Sequence, residues 1–305
     1  MGIYNYRKLT KLQKWYLKYT DRPAYKAYKR SLQDYDFFFQ TKDIKHPSLD
    51  HPYKELTAFK HSGNSGDIIY SLPTVWELSK NGKANFFIHI NQPADYNYDY
   101  HPLGNTTMNE KMAQLLKPLL EYQPKISTVD IYNGQPVDYN LDEFRRYGFP
   151  MDKGNITHWY FNVYGIYYDT SVPWIIAPKD DQYGDKIVIA RSHRYRSPLV
   201  DYSFLKKYRN KIFLGVKEEY DDLKQELPDL EFKPVKDFLE MATIINSCKL
   251  FIGNQSFPFS IAEALKVKRL LEVYYKAPNV IVQGKNGSDF IYQPQFEYAV
   301  QRLLN

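Results

Sequence analysis

Twice along this chain, short apolar runs alternate with helical segments of about 10–12 residues. The first series runs LTAFKH (56–61), a helix over 67–80 that Pro73 breaks or kinks, ANFFIHI (84–90), a helix over 107–121, a strand over 126–132 and a helix over 155–166. The second restarts at KIVIAR (186–191). It continues through helix 200–209, KIFLGV (211–216), helix 217–226, a strand near 230–232, helix 237–247, KLFIG (249–253), helix 257–266 and RLLEVY (269–274). Apolar runs of this length separated by helices predict parallel strands covered on both faces. TSVPWIIAPKDDQYGD (170–185), with two prolines and a charged tail, reads as a linker. The expected fold class is therefore α/β, with one domain over 51–170 and a second over 171–305 facing it. Ligands of such folds sit in the crevice at the carboxyl ends of strands.

Charge separates a third segment from these two. Residues 1–48 carry eleven Lys/Arg against four Asp, a net of +7, whereas the whole chain is +6. The body is nearly neutral, and the positive field belongs to residues 1–50, of which 4–40 predict one or two Lys/Arg- and aromatic-rich helices interrupted near Pro23. No run of about 18 apolar residues offers a membrane span, and the first 30 residues lack the apolar stretch of a secretory signal. The single Cys248 excludes a disulfide framework or Cys-based zinc site. The expected location is the cytoplasm, with peripheral membrane contact through the basic segment.

Three strand-end loops hold the candidate chemistry. In HSGNSGDIIYSLP (61–73), Gly63 and Gly66 allow a sharp turn, and Asn64 and Ser65 complete a small polar loop. Asp67 begins the following helix, either as a dipole-favoured cap or as a carboxylate facing a substrate. No Walker A lysine follows, and the third glycine of a dinucleotide fingerprint is absent. In ARSHRYRSP (190–198), Arg191, Arg194 and Arg196 accompany Ser192 and His193, and arginine's planar fork suits phosphate oxygens. In LFIGNQSFPFSIAEAL (250–265), a strand ends at Gly253, and Asn254, Gln255 and Ser256 precede a helix whose free N–H groups form an anion site. Glu263 lies two turns into that helix, as a ribose ligand or as an exposed helix glutamate.

Other chemistries find little. There is no H-E-x-x-H and no clustered His/Cys, so no metal is expected, and there is no G-x-S-x-G elbow. DYD (34–36) and DYNYDY (95–100) have acids at metal-holding spacing, but neither clearly follows a strand.

Together the loops resemble the GT-B glycosyltransferases, most closely the lipopolysaccharide heptosyltransferase-like branch (glycosyltransferase family 9). Gly66-Asp67-Ile-Ile-Tyr-Ser-Leu-Pro73 is similar to that family's G-D-x-x-x-x-x-P turn. GNQSFPFSIAEALKVK is similar to its G-N-D-S-G-P-x-H-x-A-x-A-L step, with Gln255, Phe257 and Ser260 at the Asp, Gly and His positions. KIFLGVKEEYDDLKQ matches the family's strand–Gly–x–x–x–Glu step. The resemblance spans roughly residues 56–285 and leaves out 1–48.

It implies two Rossmann-like domains around a central cleft. A nucleotide-diphosphate sugar would be co-substrate, held by the C-terminal domain, with no cofactor and no obligatory metal. Asp67 would be the general base, and the acceptor would bind beside Gly63, Asn64, Ser65 and Gly66. Arg191, Ser192, Arg194, Arg196, Gly253, Asn254, Gln255, Ser256 and Glu263 would face the donor and its diphosphate. The acceptor is a glycan, a lipid-linked glycan or, through residues 1–48, modified DNA bases. The alternative is a non-catalytic nucleotide-sugar- or glycan-binding protein of the same fold.

Overall fold

The computed structural model describes residues 8–94 and 104–304, so DYNYDY (95–100) lies outside the described residues. The chain forms two compact units, Met1–Pro47 with Glu143–Phe149, and Ser48–Asp142 with Pro150–Asn305. In the first, helix α1 (Lys11–Thr20) is followed directly by α2 (Arg22–Thr41). The interruption expected near Pro23 falls at Asp21. The Asp21 carboxylate accepts the Ala24 N–H at 2.9 Å, capping α2. Pro23 sits in the first turn, where a missing N–H removes no helical bond. Glu143–Phe149 joins these helices: Phe37 lies against Gly148, and His46 bonds the Tyr147 hydroxyl at 2.9 Å.

The second unit contains two sheets. Chain order is β1 (Leu56–His61), α3 (Ser65–Ser79), β2 (Lys83–Ile88), α4 (Glu110–Glu121), β3 (Ile126–Ile131), β4 (Tyr139–Asn140) and α5 (Ile156–Tyr164). There follow β5 (Ile187–Ala190), β6 (Lys211–Phe213), α6 (Lys217–Glu226), β7 (Glu231–Phe232) and α7 (Phe238–Ser247). The chain ends with β8 (Leu250–Asn254), α8 (Phe257–Leu265), β9 (Arg269–Glu272), β10 (Gly287–Phe290) and α9 (Gln293–Leu304). All strand pairings in both sheets are parallel.

The first sheet has the order β3-β2-β1-β4 and the second β10-β9-β8-β5-β6-β7. From its other edge the second sheet runs 3-2-1-4-5-6 in its own numbering, the doubly wound dinucleotide-binding order. Its switch point lies between β5 and β8; that of the first sheet lies between β1 and β4. The loops after β1, β5 and β8 therefore sit at switch-point crevices. The central strands β5, β8 and β9 are buried at every position, as expected of strands covered on both faces.

Residues 200–209, the short strand β4 and the C-terminal β10 and α9 depart from the sequence reading. Residues 200–209 form only a 3-10 turn over Ser203–Lys207, because Tyr202 and Leu205, three apart, both point into the core. The final helix α9 and strand β10 were not expected. Phe296, Val300 and Leu303 of α9 cover the sheet, with Phe296 stacked on Phe290 at 4.1 Å.

Helix α3 runs through Pro73 without ending. Proline has no N–H for the Ile69 carbonyl four residues earlier, and the Trp174 indole supplies it, donating to Ile69 O at 3.1 Å. Trp174 also donates its backbone N–H to Ala264 O of α8 at 3.0 Å and accepts the Trp76 indole at 2.7 Å. The segment 170–185 is thus a buried tie at Trp174 and Ile175. Trp174→Phe is expected to cost about 1–3 kcal/mol by stranding a buried carbonyl. In a Pro73→Ala background, where residue 73 donates its own N–H, the cost should shrink; equal costs in a urea double-mutant cycle would reject the pairing.

Candidate active site

The turn after β1 is built on a buried histidine. His61 occupies the inward register of β1 with Thr57 and Phe59 and is fully buried. Its Nδ1 accepts the Gly63 N–H at 2.8 Å, which leaves the proton on Nε2, 2.8 Å from the Tyr160 hydroxyl. The Tyr160 hydroxyl in turn donates to the Asp67 backbone carbonyl at 3.4 Å. Asp142 accepts the Ser62 N–H at 3.0 Å and completes the anchoring.

Asn64 and Asp67 stand in the positions of a capping box, closed by the Asp67 carboxylate, which accepts the Asn64 N–H at 3.0 Å. Asp67 therefore does cap its helix, and the residue is half-buried. Ser65 is buried in the first turn. Neither Gly63 nor Gly66 has positive φ. What Gly66 provides is proximity, since a Cβ there would stand 3.9 Å from Phe257 Cα and from Ser260 Oγ of α8. The starts of α3 and α8 therefore lie against each other.

On the other side, Asn254 clamps two strand ends. Fully buried, it accepts the Ser192 N–H at 3.0 Å through Oδ1 and donates Nδ2 to Ser192 O at 2.7 Å. The loops after β5 and β8 thus become one surface. Gly253 is required for packing, because a Cβ would meet Ala190 O and the Phe251 ring at 2.8 Å. Ser256 is the N-cap residue of α8 and is partly buried. Gln255 braces the loop from within, accepting the Tyr274 N–H at 2.7 Å and donating to Ala277 O and Asn279.

Two expected ligand contacts are structural. The Arg191 guanidinium is turned into the core, where it grips buried Glu272 through Nε at 2.7 Å and Nη2 at 2.9 Å and lies 4.4 Å from the Tyr202 ring centre. Glu272 also accepts Ser197 N–H at 2.6 Å and the Tyr202 hydroxyl at 2.9 Å. Arg191 therefore pins the arginine loop and has no face for a diphosphate. Glu263 is neither ribose-facing nor an exposed helix glutamate, being only 2% exposed. It pairs with buried Arg269 at 2.5 Å, accepts Gln283 N–H at 3.0 Å and bonds Lys266.

Arg196 is different. Its Nη1 donates to Asp222, while Nε and Nη2 are buried yet meet no hydrogen-bond acceptor among the described residues. Hydrogen bonding from Arg196 holds the Asp222 carboxyl below its ordinary value. Beside it, burial raises the Glu219 carboxyl, which accepts the His193 N–H at 3.2 Å. Arg194 lies over the Tyr195 ring at 5.2 Å. A two-donor fork at a switch-point crevice is suited to phosphate oxygens. Among the described residues no three His, Cys, Asp or Glu side chains gather into a metal-holding group, and no helix is long and apolar enough to cross a membrane.

His61, Tyr160, Asp222 and Trp174 were missed in the sequence. For His61 a signal existed: a polar residue at an inward strand position must be buried with partners.

The fold, two parallel sheets with strand-end loops at their switch points, is shared with solved structures of glycosyltransferases. The chain is similar to a glycosyl transferase family 9 protein from Veillonella parvula, at 13% identity and TM-score 0.51, covering 84% of this chain and 90% of that one. It is also similar to the E. coli heptosyltransferase WaaC solved with ADP, at 9% identity and TM-score 0.56, covering 81% and 99%. A third likeness is to the E. coli ADP-heptose lps heptosyltransferase II, at 12% identity and TM-score 0.53, covering 82% and 98%. At these identities the likeness is one of fold. No family profile and no curated protein sequence matches the chain.

The ion cluster under α8 yields a pH prediction. Burial lowers the Lys266 ammonium from 10.5 to about 8, against the raising pull of Glu263. Between those values the unfolded chain holds a proton that the folded chain has released, so this group's contribution to stability rises with pH across that window. Lys266→Met should remove about 2–3 kcal/mol of that rise. Urea unfolding of both proteins at pH 8 and 10.5 checks this; parallel changes would refute it.

Proposed function

We propose that this chain is a glycosyltransferase that moves a sugar from a nucleotide-diphosphate donor to an acceptor hydroxyl, with inversion and without a metal. The observation that carries this reading is the apposition of the α3 and α8 starts, with Gly66 against Phe257 and Ser260 and Asp67 next in sequence. Support also comes from the shared fold, since WaaC was solved with ADP and with ADP-2-deoxy-2-fluoro heptose.

In this reading the Asp67 carboxylate takes the proton of the acceptor hydroxyl as its oxygen bonds the anomeric carbon. The bond from that carbon to the diphosphate oxygen breaks, and the nucleoside diphosphate leaves with the electron pair. The negative charge that develops there needs donors already in place. Arg196 contributes Nε and Nη2, Arg194 adds charge, and the start of α8 at Ser256 adds its dipole. Ser192, Asn254, Gly253 and Gln255 shape that surface, and Gly63, Asn64 and Ser65 the acceptor side. The capping box and the His61–Tyr160 chain hold Asp67 in orientation.

A second reading, a protein that binds a sugar nucleotide without transfer, draws on Gln255. The side chain at the family's Asp position is spent on Tyr274, Ala277 and Asn279.

A thermal-shift screen of nucleotide sugars identifies the donor, and turnover with it separates the readings. Asp67→Asn should lower kcat by about 10²–10⁴-fold with donor affinity nearly unchanged; unaltered turnover would remove Asp67 as the base. Arg196→Gln should weaken donor binding by roughly 10–100-fold, the loss of charge-assisted bonds. Donor binding with no nucleotide release under any acceptor would establish the second reading.

A further inference from the structure

The basic helical unit plays no part in the chemistry proposed above, yet its surface is unusual. Neither α1 nor α2 buries a single residue. On α1, Leu12, Trp15, Tyr16 and Tyr19 recur at i, i+3, i+4 and i+7, which puts them on one face. They are 63–80% exposed. A shallow apolar groove beside them is lined by Leu9, Leu12, Gln13, Tyr16 and Leu17. Lys11, Lys14 and Lys18, at i, i+3 and i+7, run along one flank of that face. A Thr10/Gln13 capping box forms the helix start, so the face is preorganised.

We propose that α1 binds the surface of a bilayer carrying anionic lipids, lying in the plane of the interface. Leu12, Trp15, Tyr16 and Tyr19 enter the boundary between headgroups and acyl chains, where amphipathic aromatic rings are favoured. Lys11, Lys14 and Lys18 meet the lipid phosphates, and the net +7 of residues 1–48 complements the negative surface. Nucleic acid fits less well. Lysines could contact phosphates and the rings could stack on bases, but Leu12 and the apolar groove would stay in water. The inference goes beyond the transfer reaction and does not rest on it.

The test uses the full chain in flotation with vesicles of phosphatidylcholine alone, or of phosphatidylcholine and phosphatidylglycerol in equal parts. Binding to the anionic vesicles alone, weakened by salt, is expected. Lys11→Gln/Lys14→Gln/Lys18→Gln should weaken it by roughly 5-fold per lysine, about 100-fold together. Leu12→Ala/Trp15→Ala/Tyr16→Ala should abolish it. Apart from the half-buried Lys14, both variants change exposed side chains, and an unaltered unfolding midpoint confirms that they fold. Four outcomes would overturn the proposal. These are no flotation with either vesicle, equal flotation with both, undiminished binding by the Ala variant, and tighter binding to a single-stranded oligonucleotide than to anionic vesicles.

Discussion

The Trp174 indole is the contact on which the arrangement of the site depends. It satisfies the Ile69 carbonyl that Pro73 leaves without a helical partner, while its backbone N–H bonds Ala264 of α8. One residue between the two sheets therefore ties the helix after β1 to the helix after β8. Lys266 lies over the same ring at 4.6 Å. With α3 and α8 held this way, their starts meet at Gly66 and Phe257. A helix start is a place of partial positive charge and unfilled N–H groups. Bringing two together concentrates that character at one location.

Beneath the strand-end loops lie two buried ionic clusters, Arg191–Glu272 and Glu263–Arg269–Lys266. Such pairs are costly to desolvate and add little net stability, but losing one partner leaves an uncompensated buried charge. Their effect here is to fix loop position. Arg191 and Ser197 share Glu272, so both ends of the arginine loop are fastened to β9, and Arg196 between them keeps two buried donors that meet no acceptor among the described residues. Arg191 is thus scaffold, and the unfilled donors of the motif belong to Arg196.

Much of the fold was legible in the sequence. Strands β1, β2, β3, β5, β6, β8 and β9 stand out as apolar runs between helices, and α3, α4, α6, α7 and α8 lie within a few residues of expectation. The misses share a physical cause. β4 is two residues long, and β10 has one buried apolar residue, too little for a periodic signal. The turn at 203–207 has helical composition but is shaped by where Tyr202 and Leu205 must reach. Helix α9 was readable from Phe296, Ala299, Val300 and Leu303 at i, i+3, i+4 and i+7.

By itself the sequence determined the alternation that makes parallel sheets, the glycine-acid turn at 63–67, the arginine loop, the helix start at Ser256 and the basic character of residues 1–48. These follow from local rules of periodicity, capping and charge. Only the tertiary structure decided which arginine is spent on a buried carboxylate, why Pro73 is tolerated, and that Glu263 lies inside. Each depends on a partner about 80 or more residues away (Glu272 for Arg191, Trp174 for Ile69) or on burial that composition does not encode. Asp67 joins both lists, because its capping box is local, whereas the neighbouring start of α8 is brought to it only by folding.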